Sequence, residues 1–151
     1  MNQPTYKVKY NDSSQIYTFT SIGENGVIQK LVRFLEIDEK LFNLGFGDFD
    51  PVTEQVSDTI VSNNGDMVKV LATIVSILRV FLSENPDVSV IIDGSTPSRI
   101  RLYRIIINNY YDDFVKEFII FGYKDGEYEP LEKDVPYEFF LIQNSYFNLK
   151  Y

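Results

Sequence analysis

The sequence predicts an α+β domain, on three observations. Its first third alternates apolar and polar residues with a period of two, its middle carries two stretches of helical period, and a short wholly apolar run lies between those stretches. The expected fold is a mixed, largely antiparallel sheet with two main helices, in the order strand-strand-strand-strand-helix-strand-helix-strand-strand. Nothing divides the chain, so residues 1–151 read as a single domain.

Tyr6, Val8 and Tyr10 point one way while Lys7 and Lys9 point the other, which predicts a first strand. Asn11-Asp12-Ser13-Ser14 is a turn before a second strand over Ile16–Thr20. Gly23-Glu24-Asn25-Gly26 turns the chain into a β-prone run from Val27 to Ile37, and Leu41–Phe46 reads as a fourth strand. Such short connections favour an antiparallel meander.

The period then changes. Asp66 suits a helix N-cap, and Met67, Leu71, Ile74, Leu78 and Phe81 recur at helical spacing behind it. Burying five such side chains contributes on the order of 10 kcal/mol before entropy is subtracted. Asn85-Pro86 ends this helix, and Val88–Ile92 reads as a central strand. Ser95 or Thr96 can cap a second helix, with Pro97 in its first turn. Ile100, Tyr103, Ile107, Tyr110 and Phe114 form its expected buried stripe, with Arg101, Arg104, Asn108 and Asp112 opposite. Phe118–Tyr123 is a further strand, Asp125-Gly126 a hairpin turn, and Tyr137–Ile142 the strand expected to close the sheet.

Composition bounds the function. Hydrophobic residues make up 44% and charged residues 24%, a globular balance. No apolar run approaches the roughly 18 residues of a membrane span, and the start MNQPTYKVKY is unlike a secretory signal, so no membrane association is expected. The chain lacks cysteine, which together with those features leads to an expected cytoplasmic location. A net charge of -8 argues against general nucleic-acid binding.

Without histidine or cysteine there is no imidazole base, no thiolate nucleophile and no ordinary zinc site. No metal or cofactor is expected. The best positive feature is Asp93-Gly94-Ser95-Thr96-Pro97-Ser98-Arg99, between a strand and a helix. Amides at a helix start carry positive partial charge. Gly94 would allow close approach, Ser95, Thr96 and Ser98 offer hydroxyls, and Arg99 and Arg104, both expected to be exposed, add positive charge. The same residues also suit an ordinary helix start. Asn64 and Gly65 open the first helix in a similar way and also suit a plain turn with a cap. Asp48-Phe49-Asp50-Pro51 offers two carboxylates, a pattern more typical of a turn than of a metal loop.

Leu44-Gly45-Phe46-Gly47-Asp48, the block Val61–Asp66 with Lys69–Thr73, and Gly94-Ser95-Thr96-Pro97 with Arg99 and Arg101-Leu102-Tyr103-Arg104 resemble an uncharacterised bacterial domain-of-unknown-function family frequent in Bacteroidetes. The likeness runs from about Tyr17 to Ile142. It implies a small cytoplasmic protein and carries no activity. Two functional readings follow. The first is a non-catalytic binding or regulatory module that recognises a small anionic ligand or a protein partner. The second rests on the strand and helix order and on Leu102-Tyr103, which resemble the later part of the GCN5-related N-acetyltransferases. That resemblance implies coenzyme A with its pyrophosphate near Gly65 and Asp66, although the glycine-rich pyrophosphate signature of those enzymes is missing.

Overall fold

A computed structural model describes residues 3–11, 13, 15–50, 52–53, 55–57, 64–94 and 97–145. The strands are β1 (Lys9–Tyr10), β2 (Ile16–Gly23), β3 (Gly26–Asp38), β4 (Leu41–Asp50), β5 (Gln55–Ser57), β6 (Ser89–Ile92), β7 (Phe118–Lys124), β8 (Glu127–Pro130) and β9 (Phe139–Asn144). The helices are α1 (Met67–Glu84), α2 (Pro97–Asn109) and α3 (Tyr111–Glu117). The hydrogen-bonded strand order is β1-β2-β3-β4-β6-β9-β7-β8, and β5 pairs with β4 off this path. Only β4 and β6 run parallel among the pairings described, with α1 between them in the chain. A parallel pair needs such a crossover, whereas the antiparallel pairs close through short turns. The fold is therefore α+β with a mixed, mostly antiparallel sheet. Among the described residues no helix is long and apolar enough to cross a membrane.

The chain forms two compact units, residues 1–35 with 45–81, and residues 36–44 with 82–151. In the first, β2 and β3 form a hairpin in which Gly23 faces Gly26. Gly26 has φ +90°, a conformation that costs a side chain but not glycine. Val32 and Phe34 of β3 join Tyr17 and Phe19 of β2 in the core. Phe34 lies flat on Phe81 of α1, with ring centroids 3.8 Å apart. This contact follows from two periods meeting, since alternate residues of the strand face the apolar stripe of the helix.

In the second unit the registers place Val90, Phe140, Ile142, Ile120 and Phe118 on one buried side of the sheet. The other side carries Ile91, Leu141 and Phe121 in one row, and Tyr128, Tyr123 and Phe139 in the next. Leu41, Asn43, Ser89, Ile119, Gln143 and Pro130 complete that side. All of these residues are half-buried or exposed, and none is charged. The Tyr123 ring stacks on Phe139 at 4.4 Å and meets Tyr128 edge-on at 5.0 Å.

Several sequence expectations are corrected. The first strand shrinks to Lys9–Tyr10, because the Tyr6 backbone N–H turns away to the Thr73 hydroxyl on α1, 2.9 Å distant. The second long helix breaks at Tyr110 into α2 and α3, and its buried residues are Ile106, Ile107 and Phe114. Ile100, Tyr103 and Tyr110 are only half-buried. The final strand does not close the sheet, since β9 inserts between β6 and β7. The Asp125-Gly126 turn forms as expected, with φ +53° and +81°, and returns the chain into β8, a strand the apolar pattern did not announce.

Gly122 on β7 is a close-approach position. A Cβ there would lie 2.2 Å from the ring of Tyr137, which is 1% exposed. The Tyr137 hydroxyl accepts from Glu132 N at 3.0 Å, so the ring is held in place. We expect Gly122→Ala to lower stability in urea by about 1–3 kcal/mol, the usual cost of overpacking. Gly45→Ala, whose added carbon would meet nothing nearer than 3.8 Å, should cost much less under the same assay.

Candidate functional site

The two candidate loops fall in different compact units, Asn64-Gly65 in the first and Gly94 in the second. Asn64 is 1% exposed and its polar atoms are engaged. Its amide Nδ2 donates to the Gly26 carbonyl at 2.9 Å and to Ser21 Oγ at 3.1 Å. Its Oδ1 accepts from Asn25 N at 2.6 Å, and its carbonyl accepts from Glu24 N at 3.0 Å. A side chain so bonded is holding the β2–β3 turn, not waiting for a ligand. Gly23 explains the contact from the other side, since a Cβ there would sit 1.9 Å from the Asn64 carbonyl oxygen. Gly65 has φ +77° and passes close to the Glu24 side chain.

Asp66 stands at the N-cap of α1, its carbonyl accepting from Val70 N at 3.0 Å. Its carboxylate is used differently from a plain cap, because Oδ2 accepts from Ser21 Oγ at 2.6 Å and from the Tyr6 hydroxyl at 2.5 Å. Burial alone would raise this carboxyl. The bonds from Ser21 and Tyr6, the residue's own amide and the Lys30 charge outweigh it, and the pKa falls below the ordinary 3.8. Burial and the bond to Asp66 raise the Tyr6 phenol. Lys69 places its ammonium 4.2 Å from the centre of the Tyr6 ring. An open groove of about 500 Å³ lies beside this cluster, lined by Pro4 and Gly65–Lys69.

Lys30 is the element that composition and spacing did not reveal. It is 1% exposed, and its ammonium lies 2.5 Å from Asp48 Oδ1 and 5.8 Å from the centre of the Phe46 ring. The only sequence signal was its place in an otherwise β-prone run. Asp48 is thus an ion-pair partner, and Asp50 accepts from Val52 N at 2.9 Å, closing a turn. Among the described residues no group of three or more acidic side chains is placed to hold a metal ion.

In the second unit Gly94 packs against the start of α2. A Cβ there would lie 2.3 Å from the backbone N of Ile100. The glycine therefore serves strand-to-helix packing. Asp93 beside it sits mostly in solvent, and partial desolvation still pushes its carboxyl above the ordinary value. Ser95 and Thr96 lie outside the described residues, as do the side chains of Ser98 and Arg99, which sit in the first turn of α2. Arg104 is half-buried, not exposed as expected, and its Nε donates to the Tyr137 carbonyl at 2.5 Å. The reason is positional: Tyr137 fills the space over Gly122, and Arg104 satisfies its backbone.

The pH dependence of the Asp66 cluster has a definite sign. A carboxyl whose folded pKa is depressed contributes stability above its unfolded value and loses it as pH falls through the folded one. We expect wild type to exceed Asp66→Asn in urea midpoint above pH 3.8 and the difference to shrink below it. Urea titrations of both proteins between pH 7 and pH 2.5, an interval chosen about the ordinary carboxylate range, measure this directly.

No curated protein and no solved structure matches the chain. A family of unknown function (DUF6934) matches residues 2–145. With that match covering nearly its whole length, the chain belongs to this family.

Proposed function

We propose that this protein is a non-catalytic interaction module that docks another protein on the bare side of the β4-β6-β9-β7-β8 sheet. The observation that carries the reading is the uncharged apolar side itself. In a chain with 24% charged residues and a net charge of -8, Phe121, Leu141, Tyr123, Tyr128 and Phe139 sit on a side without a single charge. Contiguous apolar surface of this kind is costly to leave wet, and aromatic residues are the side chains that interfaces favour. The excess of acid elsewhere on the chain favours a partner with a basic rim.

The anionic-ligand reading is weaker. Asn64 spends its side-chain polar atoms on the fold, Arg104 commits its Nε to the Tyr137 carbonyl, and Gly65 and Gly94 serve close packing. The acyltransferase reading puts the coenzyme A pyrophosphate beside Asp66, an ionised carboxylate, which opposes a dianion. Both readings lean on helix starts that the chain uses for its own packing.

The test compares wild type with Phe121→Lys and Leu141→Lys in co-purification and sedimentation. We expect both variants to keep thermal stability and to lose a partner that wild type holds stoichiometrically. Wild type that remains monomeric, or a partner retained equally by both lysine variants, would contradict the proposal.

A further inference from the structure

We propose that the outer edge of β2, from Thr18 to Ile22, is a docking site for an extended peptide that adds a strand to the sheet, with the chain's own N-terminal segment as its displaceable guard. This surface lies in the first compact unit and stands independently of the bare sheet side.

The backbone pattern carries the inference. β2 spans Ile16–Gly23, yet β1 pairs only Lys9 with Thr18 and Tyr10 with Tyr17. The Ile16 carbonyl accepts from Asn11 N at 3.1 Å on the outer edge. Outward backbone groups recur at every second residue of an antiparallel strand, so Thr18, Thr20 and Ile22 present theirs on the same edge. Ile22 bears this out, because its N and O each lie 3.2 Å from the Tyr6 hydroxyl. Continuing the β1 register would set Lys7 against Thr20, and no ladder bond joins these two among the described residues. The chain has already turned off, with Tyr6 N bonded to Thr73. One side-chain hydroxyl therefore covers an edge that a strand would ladder.

The polar bonds that hold the guard ahead of β1 come from Tyr6. Gln3, Pro4, Thr5 and Lys7 are exposed, while Tyr6 and Val8 are half-buried, Tyr6 stacking on Phe19 at 5.9 Å. Unladdered edges invite strand addition, in which main-chain bonds supply affinity and alternate side chains supply selectivity. The guard also shows the partner's chemistry. Tyr6 and Tyr10 lie against Phe19 and Tyr17, and Tyr6, Val8 and Tyr10 alternate with Lys7 and Lys9. The occupant is an extended peptide of another protein with aromatic or apolar residues alternating with basic ones, drawn to a chain of net charge -8.

The test is residue-resolved amide hydrogen exchange on the full chain, with a synthetic peptide copying residues 5–11 as the probe. Without peptide, the Thr20 amide should exchange far faster than that of Thr18. Added peptide should slow Thr20 and Ile22 saturably, and Tyr6→Phe should lower the half-saturating concentration by about tenfold, the scale of one competing hydrogen bond. If that variant does not fold, the wild-type titration decides alone. Three results would overturn the proposal: Thr20 as protected as Thr18 without peptide, no slowing at saturating peptide, or equal slowing by a peptide N-methylated at alternate residues. Protection that grows with protein concentration in the absence of peptide would also overturn it, by giving the edge to a second copy of the chain.

Discussion

The buried amide of Asn64 joins three parts of the chain that share no sequence proximity. It holds the Gly26 carbonyl and the Asn25 amide of the β2–β3 turn, touches Ser21 within β2, and immediately precedes the start of α1. A primary amide offers two donors and one acceptor, and here all are used. An apolar residue in this place would break the bonds to the Asn25 amide, the Gly26 carbonyl and Ser21 together, at about 0.5–1.5 kcal/mol for each bond lost. Gly23 is the matching constraint, since only a residue without Cβ lets the Asn64 carbonyl come so near. The placement of α1 on β2 and β3 therefore hangs on one side chain and one missing side chain.

Around this clamp lies a row of buried and half-buried polar groups that makes sense as a unit. Ser21 gives its proton to Asp66 and accepts from Asn64, so one hydroxyl links the clamp to the helix cap. Tyr6 adds a second donor to the same carboxylate oxygen, and the Lys30 charge favours its ionised form. Lys30 is itself buried against Asp48. A buried ammonium is tolerated because it is paired, and removing one partner alone is far costlier than replacing both. Such a row narrows the arrangements a mostly apolar core can adopt, since a slipped strand would strand charges away from their partners. It also spends the atoms that a ligand would need.

How far the sequence spoke depends on what kind of force set each feature. Element types were legible in Gly26–Asp38, where β-prone residues follow a turn, and in Met67–Glu84, where apolar residues recur at helical spacing. The Asp125-Gly126 turn was legible because few residue pairs tolerate two positive φ angles. The break at Tyr110 was hidden, because an apolar stripe continues across it to Phe114. The insertion of β9 between β6 and β7 was hidden too, since strand order is a long-range choice that local pattern does not encode. At the candidate loops the sequence marked Asn64, Gly65 and Gly94 as special. Their roles were not legible, because a glycine that admits a helix and one that admits a phosphate look the same without their neighbours. Arg104 misled for a similar reason: its place on the helix suggested solvent, while Tyr137, 33 residues later, supplies its carbonyl partner.

The central claim is that the loop before α1 is a structural clamp, and the urea stability of Asn64→Ala tests it most directly. The account predicts a loss of about 2–4 kcal/mol, with early hydrogen exchange in the β2–β3 turn, because three hydrogen bonds of one buried amide are lost together. A change within about 0.5 kcal/mol of wild type, as at an ordinary surface position, would contradict it. In that event the Asn64 amide would not be holding the fold, and the loop would return to consideration as a place where something binds.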